Sequence, residues 1–558
     1  MDSSKLAEDY KNKSLPTEEE HEKKAAEECS TFFRVLKVEY PKFFCLGVLG
    51  FITSFIYSTL RDAKDTLIIG KMLPTSIQYL KSSAVLLFTI MFGFMFQYLM
   101  SKGVKMRTIM LGAHIGFGIY FVVYSVVIFS IAEKIEPYKF LVADMFRDAK
   151  MHTRGLQFLE GLFYMINFWT CSLFYVSAEM WGSFVLSLLF FGCVNELCLL
   201  KQALRFYPLF LIFANVALTL SGVMGLCVSL LNKTSKENII IFYRYFLILL
   251  GILCGVSFFI YKYLMDKIIP YPIYIASNPT YTKKTKTKVG MVAGIVAAFS
   301  NPIILALSLS VLSYGVVTNL TEGAGNMAIA DYAEIQEMPK ESMTMITKAI
   351  QQVVVGIVTG IVLMSPMKSF IQKKGWLSLG LVSPILSLIG STIFFGCIWI
   401  NSKMVSTDKN LLTRFAKSIG SIMPWTLKGA KLVELVISMI VVMTIKIMKY
   451  AAFDICKEAV GVKIPKEHRS RFKGIYDGVF GKLGKSFASI TQIVLLSIFN
   501  TSDIRKSVAV TFTTTVLVSS IWLYATVYLG TNYSKAVREG KDLPVLVSES
   551  KEKEKATA

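Results

Sequence analysis

The sequence predicts an all-α polytopic membrane protein with twelve transmembrane helices arranged as two six-helix bundles. Of its 558 residues, 54% are hydrophobic, and the mean hydropathy of +0.54 is above that of soluble domains. Apolar stretches long enough to cross roughly 30 Å of hydrocarbon recur along the chain. A polar segment rich in proline and lysine, residues 262–288, separates them into two sets of six.

The two sets of apolar stretches have similar spacing. The fourth stretch is nearly twice as long as one span, so it forms either one long, bent helix or two helices. The segments YVSAE (175–179) and YAAFD (450–454) stand at corresponding places in the two halves, which favours one helix. The stretches lie near 43–60, 82–100, 108–131, 156–194, 208–231 and 240–261, and near 290–317, 346–366, 376–400, 424–448, 486–500 and 507–530.

This pattern predicts both the organisation of the chain and its orientation. The short loops on the side of the two termini are strongly basic, which places that side in the cytoplasm. The opposite loops also carry lysine and arginine. They form either a vestibule that attracts an anionic solute or ordinary solvated loops. The predicted segments are a cytoplasmic polar tail (1–38), an N-terminal bundle (39–262), a basic cytoplasmic linker (263–289), a C-terminal bundle (290–532) and a cytoplasmic tail (533–558).

The composition argues against several classes of protein. Nine cysteines, mostly in apolar runs and without a C-x-x-C pair, indicate neither a zinc site nor a disulfide framework. The four histidines are scattered, so we expect no metal site, no catalytic residue and no cofactor. The net charge of +22 favours acidic lipid or an anionic solute as partner over nucleic acid, because no soluble domain remains to bind nucleic acid.

The segment GKLGKS (481–486) resembles a phosphate-binding loop in part. A Walker A motif requires a glycine five residues before Gly484, where this chain has Val479, and a membrane span follows instead of a strand–loop–helix unit. An ATPase is therefore not expected. These glycines are better explained by close helix packing at the entry to the eleventh span.

Charged residues stand within or beside four of the predicted spans, the first and fourth of each half. Ionisable groups at such positions are functional by default, although a salt-bridge clasp between helices is the alternative. The two interpretations are compatible, because a clasp that opens on substrate binding is a gate. The residues are Arg61, Asp62, Lys64 and Asp65 after the first span, Glu179 in the fourth, Glu322 after the seventh, and Asp454, Lys457 and Glu458 after the tenth.

The cationic members of this set point to a phosphorylated substrate. Lys64 and Lys457 offer point charges for phosphate oxygens, and Arg61 can hold a phosphate by two parallel hydrogen bonds. Glu179 and Glu322 are assigned both to the substrate site and to coupling or gating, where they either pair with these lysines or carry protons. Glu322 in the second half stands where the first half has Lys64, and Lys457 stands where it has Glu179. The remaining carboxylates, Asp62, Asp65, Asp454 and Glu458, are assigned to gating. Four tyrosines are candidates for stacking on a base, although helix packing accounts for them as well: Tyr57, Tyr175, Tyr207 and Tyr314.

Five blocks of the sequence resemble the ATP/ADP translocase family, the nucleotide transport proteins of plastids, intracellular bacteria and microsporidia. The resemblance runs in order from about residue 40 to residue 530. The divergent, lysine-rich loops favour a member of microsporidian type. The blocks are LRDAKDTLIIG (60–70), LFYVSAEMWGSFVLSLLFFG (173–192), ALRFYPLFLIFANVALTLSG (203–222), SYGVVTNLTEG (313–323) and DICKEAV with the following segment to GKLGKS (454–486).

The resemblance implies a major-facilitator-like transporter, not an enzyme, that exchanges ATP for ADP by alternating access. The family's charged positions fall on Lys64, Glu179, Glu322 and Lys457, while NLTEGAGN lacks the lysine that commonly follows the family's glutamate. The alternatives are proton-coupled or uniport import of purine nucleotides, and a nucleotide-binding receptor without transport. We expect a lipid-embedded monomer in the plasma membrane of an intracellular parasite, importing host ATP, or in a reduced mitochondrion-like organelle.

Overall fold

The computed structural model describes residues 35–136, 142, 144–146, 155–198, 200–231, 236–269, 299–364, 375–405, 427–465 and 472–544. Within these residues the regular structure is helical, and eleven helices are long and apolar enough to cross a membrane. A further helix, Leu427–Met448, lies at the predicted tenth span, and the count of twelve spans stays a prediction. In chain order the helices are α1 (Lys37–Lys71), α2 (Ser76–Ser101), α3 (Met106–Ala132), α4 (Trp169–Val194), α5 (Arg205–Ser229), α6 (Ile241–Ile268), α7 (Pro302–Ile335), α8 (Lys340–Met364), α9 (Trp376–Lys403), α10 (Leu427–Met448), α11 (Gly474–Ile498) and α12 (Ile504–Arg538).

These helices identify the chain as an integral membrane protein. We refer to α1–α6 as the N-terminal half and α7–α12 as the C-terminal half. The side on which α1 begins and α12 ends is the termini side, and the opposite side is the far side. Several helices extend past their predicted ends: α6 continues to Ile268, within the predicted linker, and α12 continues to Arg538, within the predicted tail.

The long fourth apolar stretch contains one spanning helix and a separate short one. The first piece, Glu160–Asn167, has eight residues and is about 12 Å long, too short to cross a bilayer. The chain leaves helical geometry at Phe168, and α4 then begins at Trp169. Beyond Met180, α4 continues as a π-helical segment, Trp181–Phe190. The structure thus supports a single span in this stretch.

Helices α1, α4 and α7 are the inner helices of the molecule. In the 18-residue apolar segment of each helix, 78% of the residues of α7, 67% of α1 and 61% of α4 are buried, against 6% of α2 and 22% of α3. Helix α7 starts where its sequence dictates, because the Asn301 side chain accepts hydrogen bonds from the Ile303 and Ile304 backbone N–H groups and Pro302 follows the cap. The charged residues predicted in α1, α4 and α7 therefore lie on the best-buried helices.

The two halves pack against each other through α5 and α8 and through α2 and α11. In the first contact, an added Cβ at Gly222 would lie 2.9 Å from the Ala349 carbonyl oxygen, so the absence of a side chain permits the approach. In the second, the Ser489 hydroxyl donates to the Gln78 side-chain oxygen at 2.9 Å, close to the far side. The rest of α2 is the least buried of the measured spans.

Candidate functional site

Lys64 of α1 lies at the centre of the N-terminal half. Its Nζ atom is 2.9 Å from Asp65 Oδ1 and 3.0 Å from Glu179 Oε1 on α4, and only 5% of its side chain is exposed. The same atom is 3.9 Å from the centre of the Tyr175 ring. Tyr175 and Glu179 are four residues apart on a helix, so both side chains face α1. The YVSAE segment thus forms a pocket for one ammonium group.

The C-terminal half contains a matching ion pair with the charges reversed. Glu322 of α7 is 2.7 Å from Lys446 of α10. Helices α7 and α10 correspond to α1 and α4 in the other half, so lysine and glutamate exchange places between the halves. This arrangement was predicted with Lys457 as the cationic member, and the structure assigns that place to Lys446.

Lys457 lies farther along the α10 helix, toward the termini side. The helix continues through Lys449–Phe453 and Asp454–Val462. Eleven residues separate Lys446 from Lys457, about 16 Å along the axis. The Lys457 ammonium is 3.0 Å from Asp454 and 2.6 Å from Asp477 of α11. In this structure Glu322 pairs with Lys446 and not with Lys457, and the role of Lys457 in substrate binding stays a prediction.

The other predicted gating carboxylates have distinct surroundings. Glu458 contacts Lys473 at 2.8 Å, and both side chains are about half exposed, which is typical of a solvated ion pair. Asp62 lies close to Arg61 and Lys348 within the membrane-spanning region. Asp65 bridges two lysines, Lys64 and Lys348. Asp62 and Asp65 thus lie with Lys64, whereas Glu458 lies with a surface lysine.

Sequence reasoning missed six further lysines around these pairs. Lys81 of α2 donates to the Asn319 side chain at 2.8 Å, and Lys348 of α8 donates to the Asn326 side chain at 3.0 Å. Each is an ionisable residue within or beside an apolar span, and the same sequence signal identifies Lys64 as a candidate. The other four are Lys446, already described, Lys449, which lies 4.8 Å from the Tyr450 ring centre, and Lys482 and Lys485 of α11, both close to Glu179.

We define the central cluster by its twelve charged members. Among the described residues it contains eight cations and four carboxylates, so positive charge exceeds negative charge by four. Asp454, which also lies near Lys449, is not counted because it pairs with Lys457. An excess of buried positive charge is costly unless an anion compensates it. The cluster is therefore built to receive a multiply charged anion. Its members are Arg61, Asp62, Lys64, Asp65, Lys81, Glu179, Glu322, Lys348, Lys446, Lys449, Lys482 and Lys485.

Arg61 is well placed for an anion at this cluster. Its neighbours are Tyr57 and Asp62 on its own helix, and Glu322 and Tyr450 in the C-terminal half, so its side chain is near both halves. A guanidinium binds phosphate through two parallel N–H groups, which a lysine cannot do. The structure brings Arg61 together with Lys64 and Glu322, three of the residues predicted to bind substrate.

The four tyrosines predicted as candidates for base stacking all pack against protein. The Tyr175 ring contacts the Lys64 ammonium, and Tyr314 stacks on Phe453 with ring centres 5.7 Å apart. Tyr57 packs on Gly182, where an added Cβ would lie 2.3 Å from the ring. Tyr207 stacks on Phe191. Base stacking by these residues stays a prediction.

The GKLGKS segment is helical from end to end. It lies at the junction of the π-helical Gly474–Val479 and the α-helical Phe480–Ile498. A Cβ at Gly484 would lie 2.6 Å from the Leu312 carbonyl oxygen of α7. The prediction of close helix packing is confirmed at Gly484, whereas a Cβ at Gly481 would lie 3.6 Å from the Val311 side chain, an ordinary contact distance.

The fold and the site together define a polytopic membrane protein with a cationic centre. The sequence matches the TLC ATP/ADP transporter family over residues 18–533. The chain belongs to this family, which is a family of transporters and not of enzymes.

Relatives from several organisms support this assignment. The chain is 35% identical to ADP,ATP carrier protein 1 of Paranosema grylli, covering 95% of each chain. It is 31% identical to ADP,ATP carrier protein 1 of Encephalitozoon cuniculi, covering 98% of this chain and 96% of the relative. Among solved structures, the nucleoside transporter NupG is 14% identical with a TM-score of 0.47, covering 87% of this chain and 99% of that one.

Proposed function

We propose that this protein exchanges ATP for ADP across a membrane by alternating access. The observation that carries the proposal is the excess of four positive charges in the central cluster, between two halves of a transporter of this family. Nucleoside di- and triphosphates carry several negative charges at one end, which matches a group of ammonium and guanidinium donors. The names of the microsporidian relatives indicate the same two substrates.

Phosphate binding would change the partners of the central lysines. In the structure, Lys64 contacts Glu179 and Lys446 contacts Glu322. A phosphate oxygen would compete with each carboxylate for its ammonium. The two ion pairs would then loosen together, one in each half, and the halves could move relative to each other. Either ATP or ADP would serve, because both present phosphate oxygens.

Exchange follows if the empty carrier changes state slowly. Without nucleotide, separating the helices would leave buried charges without partners, and such charges cost several kcal/mol each. With nucleotide, the phosphates supply the missing partners. The carrier would therefore cross the membrane loaded in both directions, with ATP moving one way and ADP the other.

Counter-exchange in proteoliposomes tests the proposal. Vesicles containing the full chain are loaded with ADP or left empty, and uptake of radiolabelled ATP is followed in both. We expect internal ADP to stimulate uptake strongly. Equal uptake by loaded and empty vesicles would reject exchange as the mechanism. Parallel assays with GTP and inorganic phosphate as external substrates would define the range of substrates.

The alternative, proton-coupled or uniport uptake, gives a different response to ionophores. Glu179 and Glu322 are the carboxylates in the cluster that proton coupling would use. A protonophore combined with a clamped membrane potential should leave ATP/ADP exchange unchanged. Loss of uptake under these conditions would favour proton coupling. ATP binding without flux under any condition would favour a receptor.

We further propose that the termini side faces the cytoplasm and that one chain forms the complete carrier. The α2–α3 loop on that side contains exposed Lys102 and Lys105, in agreement with an excess of positive charge on the cytoplasmic side. All members of the central cluster come from one chain. Relatives named as carriers occur in microsporidia, Chlamydia and Rickettsia, so we place the protein in the plasma membrane of an intracellular parasite, where it imports host ATP. Immunolocalisation would separate this from a reduced mitochondrion-like organelle.

A further inference from the structure

Two lysines of the central cluster reach from one half of the molecule to the other. Lys81 is on α2 of the N-terminal half, and its Nζ donates to the Asn319 side chain on α7 at 2.8 Å. Lys348 is on α8 of the C-terminal half, and its Nζ is 3.6 Å from Asp65 Oδ2 on α1. Each half therefore sends one ammonium group to the innermost helix of the other half.

The two lysines occupy equivalent positions in the two halves. Helix α2 follows α1 and helix α8 follows α7, in each case after a short turn on the far side. Lys81 lies five residues after the start of α2, and Lys348 lies eight residues after the start of α8. Both contacts thus lie about one to two helical turns from the far-side ends of these helices. Separation of the halves on that side would break both of them.

Lys348 is held away from bulk solvent, and Lys81 is partly buried. The Lys348 side chain is 8% exposed and that of Asp65 is 16% exposed, while Asn319 and Asn326 are buried. Lys81 also lies near Glu322 and Asp65. An ammonium that lost these partners inside the protein would be strongly destabilised. The empty carrier therefore has an electrostatic reason to keep its far side closed.

We propose that Lys81 and Lys348 are two clasps between the halves, whose protein partners are replaced by phosphate oxygens when nucleotide binds. This inference rests on the proposed exchange of ATP and ADP. Nucleotide in the central cluster would take Lys348 from Asp65 and Lys81 from Asn319, so that the far side could open without unpaired ammonium groups. The clasps would then be the barrier that makes exchange obligatory.

The clasps make a prediction that differs from that of ordinary binding residues. Replacement of either lysine by glutamine removes the ammonium that would be left without a partner. The empty carrier should then reorient faster, and net uptake into vesicles without internal nucleotide should rise relative to exchange. The measured quantity is the ratio of ATP uptake in ADP-loaded vesicles to that in empty vesicles.

The experiment compares the full-length wild type with Lys81→Gln, Lys348→Gln and Asn319→Ala in proteoliposomes. These variants open the clasps from different sides, so loss of one to misfolding leaves the test intact. Gel filtration and thermal unfolding establish that each variant is folded before flux is measured. Lys340→Gln is the matched control, because Lys340 is on the same helix as Lys348 and its side chain is 39% exposed beside Glu334. Lys348→Arg retains the charge.

We expect the ratio of loaded to empty uptake to fall at least about tenfold in Lys81→Gln and Lys348→Gln, because each unpaired ammonium costs several kcal/mol. Lys340→Gln and Lys348→Arg should keep the wild-type ratio. An unchanged ratio in the folded glutamine variants would overturn the proposal that these lysines act as clasps. Loss of flux in both kinds of vesicle, with rescue by arginine, would also overturn them, since the lysines would then serve binding alone. If uptake by the wild type is not stimulated by internal ADP, the proposed ATP/ADP exchange itself is rejected, which is a different outcome from failure of the clasp proposal.

Discussion

Two of the charge networks among the described helices, the central cluster and a network near the far side, differ in composition. The central cluster contains more cations than carboxylates. The far-side network, formed by Asp331, Lys431, Glu434, Asp503 and Arg505, contains two cations and three carboxylates. Arg505 lies 3.0 Å from Glu434, 2.7 Å from Asp331 and 2.6 Å from Asp503, and Lys431 lies 3.1 Å from Asp331.

This comparison separates structural charge from functional charge. In the far-side network, the guanidinium of Arg505 is shared by carboxylates from α7, α10 and the turn before α12, so it joins three elements of one half. No further anion is needed there. In the central cluster, the carboxylates compensate only part of the positive charge. A buried charge network in a membrane protein indicates an anionic ligand when its cations outnumber its carboxylates, and a brace between helices when its carboxylates already compensate its cations.

The largest effect is expected when the far-side network is broken. Arg505→Met would remove the nearer cationic partner of Glu434, which is 1% exposed, and leave it only the longer 3.5 Å contact with Lys431. Removal of one member of a buried ion pair costs about 3–5 kcal/mol, so we expect a marked fall in the midpoint of thermal unfolding. Lys506→Gln, at the exposed neighbouring position, is the control. A variant that unfolds like the wild type would show that the network is not a brace.

A smaller effect, on binding instead of stability, is expected at the centre. Lys64→Gln removes an ammonium from the cationic cluster, and hydrogen bonds to charged groups contribute about 1.5–3 kcal/mol. We expect the affinity for ADP, measured by calorimetry in detergent, to fall about 10- to 100-fold. Lys71→Gln at the end of the same helix should bind as the wild type does. Unchanged binding in Lys64→Gln would remove this residue from the site.

The smallest effect expected is the coupling between the two members of the C-terminal pair. A double-mutant cycle on Glu322→Gln and Lys446→Gln should give a coupling energy of about 0.5–3 kcal/mol in thermal stability, because the side chains are in contact. The corresponding cycle on Glu322 and Lys457 should give a value near zero. A larger coupling energy for Glu322 with Lys457 than for Glu322 with Lys446 would support Lys457 as the cationic member, as predicted from the sequence.

The sequence predicts the helical class and the N-terminal part of the site well. Lys64 and Glu179 could be found because their charges interrupt apolar spans and stand in unusual motifs. Lys446 was missed because it lies near the end of a stretch that reads as continuously apolar. Its contact with Glu322 depends on the register of α10 against α7, which periodicity alone does not determine.

The cross-half contacts were beyond sequence reasoning for a similar reason. Lys81 stands at the edge of the second predicted span, where a lysine is usually taken as an interfacial anchor. Lys348 is close to the start of the eighth. Only the packing of α2 on the C-terminal half and α8 on the N-terminal half shows that both ammonium groups point to the centre.

The central claim is that the cationic cluster binds the phosphates of a nucleotide. The most direct test is equilibrium binding of ATP, ADP, AMP and adenosine to the purified wild type, at low and high salt. The account predicts that affinity rises with the number of phosphates and that salt weakens ATP and ADP binding, while adenosine binds weakly at any salt. Adenosine binding as tight as that of ATP, with no dependence on salt, would contradict it.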